Sequence, residues 1–88
     1  MSVLYSKLVE KRVKKHKLPQ ETWADFRDAF DALSKTRNFR LFDVKRLVNK
    51  GPYVYYRLRI GDYRALFHMD AKYIYVEDIA PRGEVYRS

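Results

Sequence analysis

Arg57, Arg59, Arg64 and Arg82 are the residues of this sequence best suited to chemistry. A guanidinium keeps its charge at physiological pH and grips phosphate through paired hydrogen bonds. It also stabilises negative charge that develops during phosphoryl transfer. RNA cleavage needs little beyond this, because the ribose 2′-OH is a built-in nucleophile. A tyrosine beside such arginines, its pKa depressed by them, can serve as general base. Other catalytic parts are missing. There is no Gly-rich phosphate loop, no HExxH, no cysteine and no Ser/His/Asp set in a recognisable context. His16 and His68 are far apart in the expected fold, and the carboxylates are scattered along one helix and the turns, so no metal site is expected. Two readings stay open on chemistry alone: a metal-free ribonuclease, and a basic surface that binds phosphate without cutting.

Three of the four arginines lie on one expected β-hairpin. Residues 53–60 and 63–69 alternate apolar and polar and flank Gly61-Asp62, a Gly-led two-residue turn. That turn sets Ile60 opposite Tyr63, Arg59 opposite Arg64, Arg57 opposite Leu66 and Tyr55 opposite His68. Strand side chains alternate, so Val54, Tyr56, Leu58, Ile60, Ala65, Phe67 and Met69 form the core face and the arginines share the other. Like charges directly opposite destabilise a hairpin, so the Arg59–Arg64 rung asks for an anion. A turn at Asp70-Ala71, of two or four residues, leads into a strand over 72–79. It places Glu77 opposite Arg64, which makes Glu77 the candidate internal partner. Tyr55, Tyr73 and Tyr75 are either stacking platforms for bases or cross-strand pairs that stabilise the sheet. His68, between Tyr55 and Tyr73, is expected to be structural.

The rest of the chain supplies layers. Val3-Leu4-Tyr5 suits a short first strand. Ser6 is a candidate N-cap for a helix over 7–17, with Val9, Val13 and His16 on its apolar stripe. Its other side is a basic face of Lys7, Lys11, Arg12, Lys14 and Lys15. Pro19 suits the start of a second helix over 20–35, where Trp23, Phe26, Ala29, Phe30 and Leu33 form a core stripe. A basic connector over 36–42 leads to a strand over 43–48 and an Asn49-Lys50-Gly51-Pro52 turn. The predicted fold is α+β, one domain over residues 1–88. A helical hairpin packs on one face of a mainly antiparallel four- to five-stranded sheet, in the order β-α-α-β-β-β, and leaves the arginine face open.

Charge narrows the partners. The 88 residues carry a net charge of +8, and polyanions are the natural ligands of such a chain. The excess sits at the two ends: residues 1–19 and 37–88 are each net +5, while 20–36 are net −2. The lack of cysteine fits a reducing compartment. No apolar run could span a bilayer and Met1 to Leu18 is too polar for a signal peptide, so a cytoplasmic protein without membrane contact is expected.

The stretch Tyr55 to Arg64, of the pattern YxRxRxGDYR, together with Arg82 and Tyr86 near the end, resembles the RelE toxin family of the RelE/ParE superfamily. The resemblance covers nearly the whole chain, though the N-terminal third matches only in pattern. It implies the toxin of a type II toxin–antitoxin system: a ribosome-dependent endoribonuclease that cuts A-site codons of mRNA by 2′-OH attack, without metal or cofactor. It also implies roles. Arg64 and Arg82 would bind the phosphate and stabilise the transition state. Arg57 and Arg59 would support them and lower the pKa of Tyr86, the base. Arg46 would be a further basic position, and the first helix would touch ribosomal RNA. A RelB-like antitoxin is the implied partner, in a heterodimer or heterotetramer. ParE-like members of this superfamily poison DNA gyrase instead; retention of Arg82 and Tyr86 favours the RelE branch. A basic module that binds RNA without cleaving it is the remaining alternative.

Overall fold

The computed structural model describes residues 1–47 and 51–83. Val48, Asn49, Lys50 and residues 84–88, which include the expected base Tyr86, lie outside the described residues. The elements are β1 (Ser2–Tyr5), α1 (Lys7–Lys14), α2 (Gln20–Thr36), a 3-10 turn (Phe39–Leu41), β2 (Asp43–Arg46), β3 (Tyr56–Ile60), β4 (Tyr63–Met69) and β5 (Tyr73–Pro81). The strands form one mixed sheet in the order β1-β5-β4-β3-β2. β2 to β5 make the expected antiparallel meander, and β1 is added parallel to β5 at the edge.

The core is built as the periodicity predicts. Phe26, Ala29, Phe30 and Leu33 of α2 are buried against Leu58, Ala65, Phe67, Ile74, Val76 and Ile79 of the sheet, with Val9 from α1. Phe30 stands edge-on to Phe67, with ring centroids 5.2 Å apart. Trp23 meets the ring of Tyr5 edge-on at 4.8 Å. Fully burying each such side chain contributes roughly 1.5–3 kcal/mol, so this face decides the sheet's orientation. Burial pushes the Tyr5 hydroxyl up to about 12, with Arg27 nearby opposing the shift and Asp31 adding to it.

Three expectations are corrected. First, α1 stops at Lys14 rather than running to Lys17. His16 adopts a left-handed φ of 57°. The Lys17 and His16 amides then donate to the carbonyls of Arg12 and Val13, which closes the helix end. Glycine normally takes that position, so the stop left no mark in the sequence. His16 is exposed and does not cap the apolar stripe. Second, β3 begins at Tyr56, and Tyr53 to Tyr55 approach it outside the regular ladder. Third, the β4–β5 register differs. The Asp70 carboxylate accepts from the Lys72 and Tyr73 amides, both at 2.8 Å, and so centres the turn on Ala71-Lys72. Those two bonds hold the Asp70 carboxyl below its ordinary value. Met69 therefore pairs with Ile74. A bulge follows: Phe67 pairs with Val76 but Leu66 with Asp78, so Glu77 is the extra residue.

The bulge also anchors α1. Where β1 has ended, Ser6 donates its hydroxyl to the Glu77 carbonyl at 2.6 Å and accepts the Val9 amide as N-cap. Arg12 reaches Asp78 through two bonds, Nε–Oδ1 at 2.8 Å and Nη2–Oδ2 at 3.3 Å. Both side chains are mostly screened from water. Asp78→Ala is expected to destabilise the fold by about 1–3 kcal/mol, the range for a charged hydrogen-bonded pair. Arg12→Ala should do the same, whereas Lys11→Ala should be nearly neutral. In urea denaturation, the double variant Arg12→Ala/Asp78→Ala should lose less than the sum of its parts.

Candidate functional site

The hairpin turn brings the arginines together. Gly61 takes a φ of 58°, which a Gly-led turn requires, and β3 and β4 leave it in the expected register. Ile60 pairs with Tyr63, Arg59 with Arg64 and Arg57 with Leu66. Because Leu58, Ala65 and Phe67 are buried beneath the helices, the guanidiniums project from the opposite face. With Lys45 and Leu47 they line a shallow groove of about 230 Å³.

The groove is short of anions. Arg57 Nη2 lies 3.4 Å from Asp43 Oδ1, a long contact to an exposed carboxylate. Arg59 Nε donates weakly to the Gly61 carbonyl at 3.4 Å. Arg64 Nε is buried with no hydrogen-bond partner among the described residues. Among the described residues, no carboxylate forms an ion pair with Arg59 or Arg64. Glu77, the expected internal partner, accepts instead from His68 Nε2 at 2.7 Å. The later turn and the bulge carry it away, and the residue opposite Arg64 is Ala80.

Arg82 arrives at the same end of the sheet. Pro81 pairs with Tyr63, and the Arg82 amide donates to the Asp62 carbonyl of the hairpin turn at 2.8 Å. Its side chain is exposed. Arg46 is not in the groove: it is in register with Tyr56, whose ring packs on the core side. Lys45, opposite Arg57, takes the place expected of Arg46. Sequence reasoning missed Lys45, although Val44 opposite Leu58 in the core would have pointed to it. On α1, Lys7, Lys11 and Lys14 are exposed, as is Lys15 at its cap, whereas Arg12 is held by Asp78. Among the described residues, no group of three or more His, Cys, Asp or Glu gathers as metal ligands, and no helix is long and apolar enough to cross a membrane.

The fold has solved counterparts. A chain of the archaeal RelE–RelB complex from Pyrococcus horikoshii OT3 superposes with a TM-score of 0.75 at 31% identity, over 94% of this chain and 96% of that one. The chain belongs to the RelE toxin family. A chain of the RelB–RelE antitoxin–toxin complex from Methanococcus jannaschii shares the RelE fold, with a TM-score of 0.71 at 23% identity over 94% of each chain. No family model and no curated protein matches the sequence.

In this RelE-family chain Arg64, whose buried Nε has no partner among the described residues, makes a direct prediction. Arg64→Met keeps the aliphatic stem and removes a buried, unsatisfied donor, so the variant should be at least as stable as the parent. Millimolar phosphate at constant ionic strength should raise the melting temperature of the parent and not of Arg64→Met. A loss of more than about 1 kcal/mol in the variant, or an equal phosphate response in both, would contradict an anion site.

Proposed function

We propose that this chain is the toxin of a type II toxin–antitoxin pair and acts as a ribosome-dependent endoribonuclease on mRNA in the A site. The observation that carries the reading is the groove of Lys45, Arg57, Arg59 and Arg64, in which two arginines have no carboxylate partner among the described residues. A phosphodiester fits that need in charge and in hydrogen-bonding geometry. Family membership supports the toxin role.

The chemistry uses the RNA's own nucleophile. The 2′-oxygen attacks the adjacent phosphorus as the bond from phosphorus to the 5′-oxygen breaks. A 2′,3′-cyclic phosphate remains on the upstream fragment. Tyr86, as general base, takes the 2′ proton, and the departing 5′-oxygen takes one up. Arg64 and Arg82 hold the phosphate and offset the charge that builds on it. Arg57 and Arg59 raise the local positive potential and so favour the phenolate of Tyr86. No metal or cofactor takes part in this scheme.

The exposed lysines of α1 (Lys7, Lys11 and Lys14), with Lys15 at its end, supply sequence-independent contacts to ribosomal RNA. Ribosome binding should therefore weaken steeply with salt. The two solved neighbours described above come from complexes with RelB. This supports a RelB-like antitoxin, in a heterodimer or heterotetramer, that covers the arginine face until the toxin is released. Action on translating ribosomes puts the protein in the cytoplasm.

Toeprinting of translating ribosomes tests the reading. Cuts should appear within the A-site codon. Arg82→Ala should lower cleavage by about 10²-fold or more, the usual effect of losing one transition-state donor. It should also abolish growth inhibition while circular dichroism stays unchanged. Tyr86→Phe should slow cleavage by about 10²–10⁴-fold; full activity would remove Tyr86 from the mechanism. Intact mRNA with inhibited gyrase supercoiling would replace this reading with a ParE-like one. Intact mRNA on a stalled ribosome would leave a binding module.

A further inference from the structure

The open sheet face has a second half that the arginine chemistry does not use. On the far side of Leu66 from the hairpin turn, it carries rings instead of guanidiniums. Tyr53, His68 and Tyr75 form a stacked column. The Tyr53 and His68 centroids are 4.4 Å apart with planes at 28°, and those of His68 and Tyr75 are 4.8 Å apart at 20°. Tyr55 stands edge-on to both Tyr53 and His68.

Polar contacts fix the column. His68 is tied to Glu77 at 2.7 Å, and the Tyr75 hydroxyl donates to Asp70 Oδ2 at 3.0 Å. Partial burial raises the pKa of Tyr55, helped by the charge of Glu77. Desolvation and the bond to Asp70 raise that of Tyr75.

The two ends of the column differ: Tyr75 is half-buried, whereas Tyr53 is 50% exposed, and His68 in the middle is buried. Cross-strand packing accounts for the contacts among Tyr55, His68 and Tyr75. Tyr53 also makes a bridge and stacks on His68, but packing does not account for its outer face: it lies outside β3 and leaves half its surface in water. Arg57 and Tyr55 are alternate residues of one segment, as are Arg64, Leu66 and His68 of β4. The arginine rung and the ring column are therefore roughly 13 Å apart along the strands, a span that a few nucleotides cover.

We infer that the Tyr53 end of this column is a base-stacking subsite, where an unpaired base of the RNA held in the arginine groove extends the Tyr53–His68–Tyr75 stack by one ring. The inference rests on the RNA reading above. Unpaired RNA is favoured over a protein as the occupant for two reasons. The adjoining groove is cationic, and its Arg59 and Arg64 have no carboxylate partner among the described residues, which suits a polyanion. The open element is also a flat ring that already continues a stack, and every base has a π-face to add to it.

The test is fluorescence anisotropy with a 2′-O-methyl hexanucleotide, which cannot be cleaved, at low salt. A set of the same oligonucleotides with one abasic position each completes the probes. Tyr53→Ala should weaken binding about tenfold, and Tyr53→Phe should bind like the parent. The salt dependence of Tyr53→Ala should match the parent's, because no phosphate contact is lost. With the abasic site at one particular position, parent and Tyr53→Ala should bind equally. Parent-like binding by Tyr53→Ala overturns the subsite and leaves the column to sheet stability or to a protein surface. An equal loss at every abasic position also overturns it. Failure of the RNA reading looks different: the parent binds no hexanucleotide, or Arg59→Ala and Arg64→Ala bind as well as the parent, and the subsite falls with it.

Discussion

Strand alternation couples the arginine face to the core. Leu58, Ala65 and Phe67 are fully buried under the helices, and the strand residues that alternate with them must project the other way. Arg59 therefore faces Arg64 on the second rung from the turn. Repulsion across that rung amounts to roughly 0.2–1 kcal/mol. Burial of Leu58 and Phe67 contributes roughly 1.5–3 kcal/mol each. A one-residue slip would relieve the rung only by turning guanidiniums into the core and apolar side chains into water. The core wins, and the like charges stay face to face.

One inserted residue then decides where the anions go. An unbroken ladder centred on Asp70-Ala71 would set Glu77 against Arg64. The Asp70 carboxylate moves the turn along by capping two amides, and the bulge at Glu77 shifts the rest of β5 again. Glu77 then serves His68, Asp78 serves Arg12, and Ala80 lies opposite Arg64. Among the described residues, the two β5 carboxylates nearest the expected partner position hold other parts of the fold: Glu77 the aromatic column and Asp78 the first helix. The site is basic because of this distribution as much as because of its arginines.

Much of this could be read from the sequence. The order of elements, the α2 stripe from Trp23 to Leu33 and the β3–β4 register follow from period and from a Gly-led turn, which are local signals. The parts that could not be read depend on less visible chemistry. His16 ends α1 in a conformation that glycine usually takes, so the helix looked three residues longer. The bulge has no residue signature at Glu77, and Asp70 acts through its side chain where a turn is usually marked by Gly or Asn. Arg12 looked like one more member of a basic face, because its partner Asp78 is 66 residues away in sequence. Lys45 was legible in principle, since Val44 faces the core, but the strand is short and ends in basic residues on both sides.

The unbalanced face gives the free and bound chains opposite responses to salt. In the free chain, counterions screen the repulsion among Lys45, Arg57, Arg59 and Arg64, so added salt favours the fold. In the proposed complex with RNA, the same salt would compete with the phosphates and weaken binding. A small domain has only a modest core to hold such a face together. A bound polyanion or acidic partner that neutralises the groove adds its binding free energy to the stability of the fold. The arrangement that makes the surface receptive to phosphate therefore also makes the fold more stable when that surface is covered.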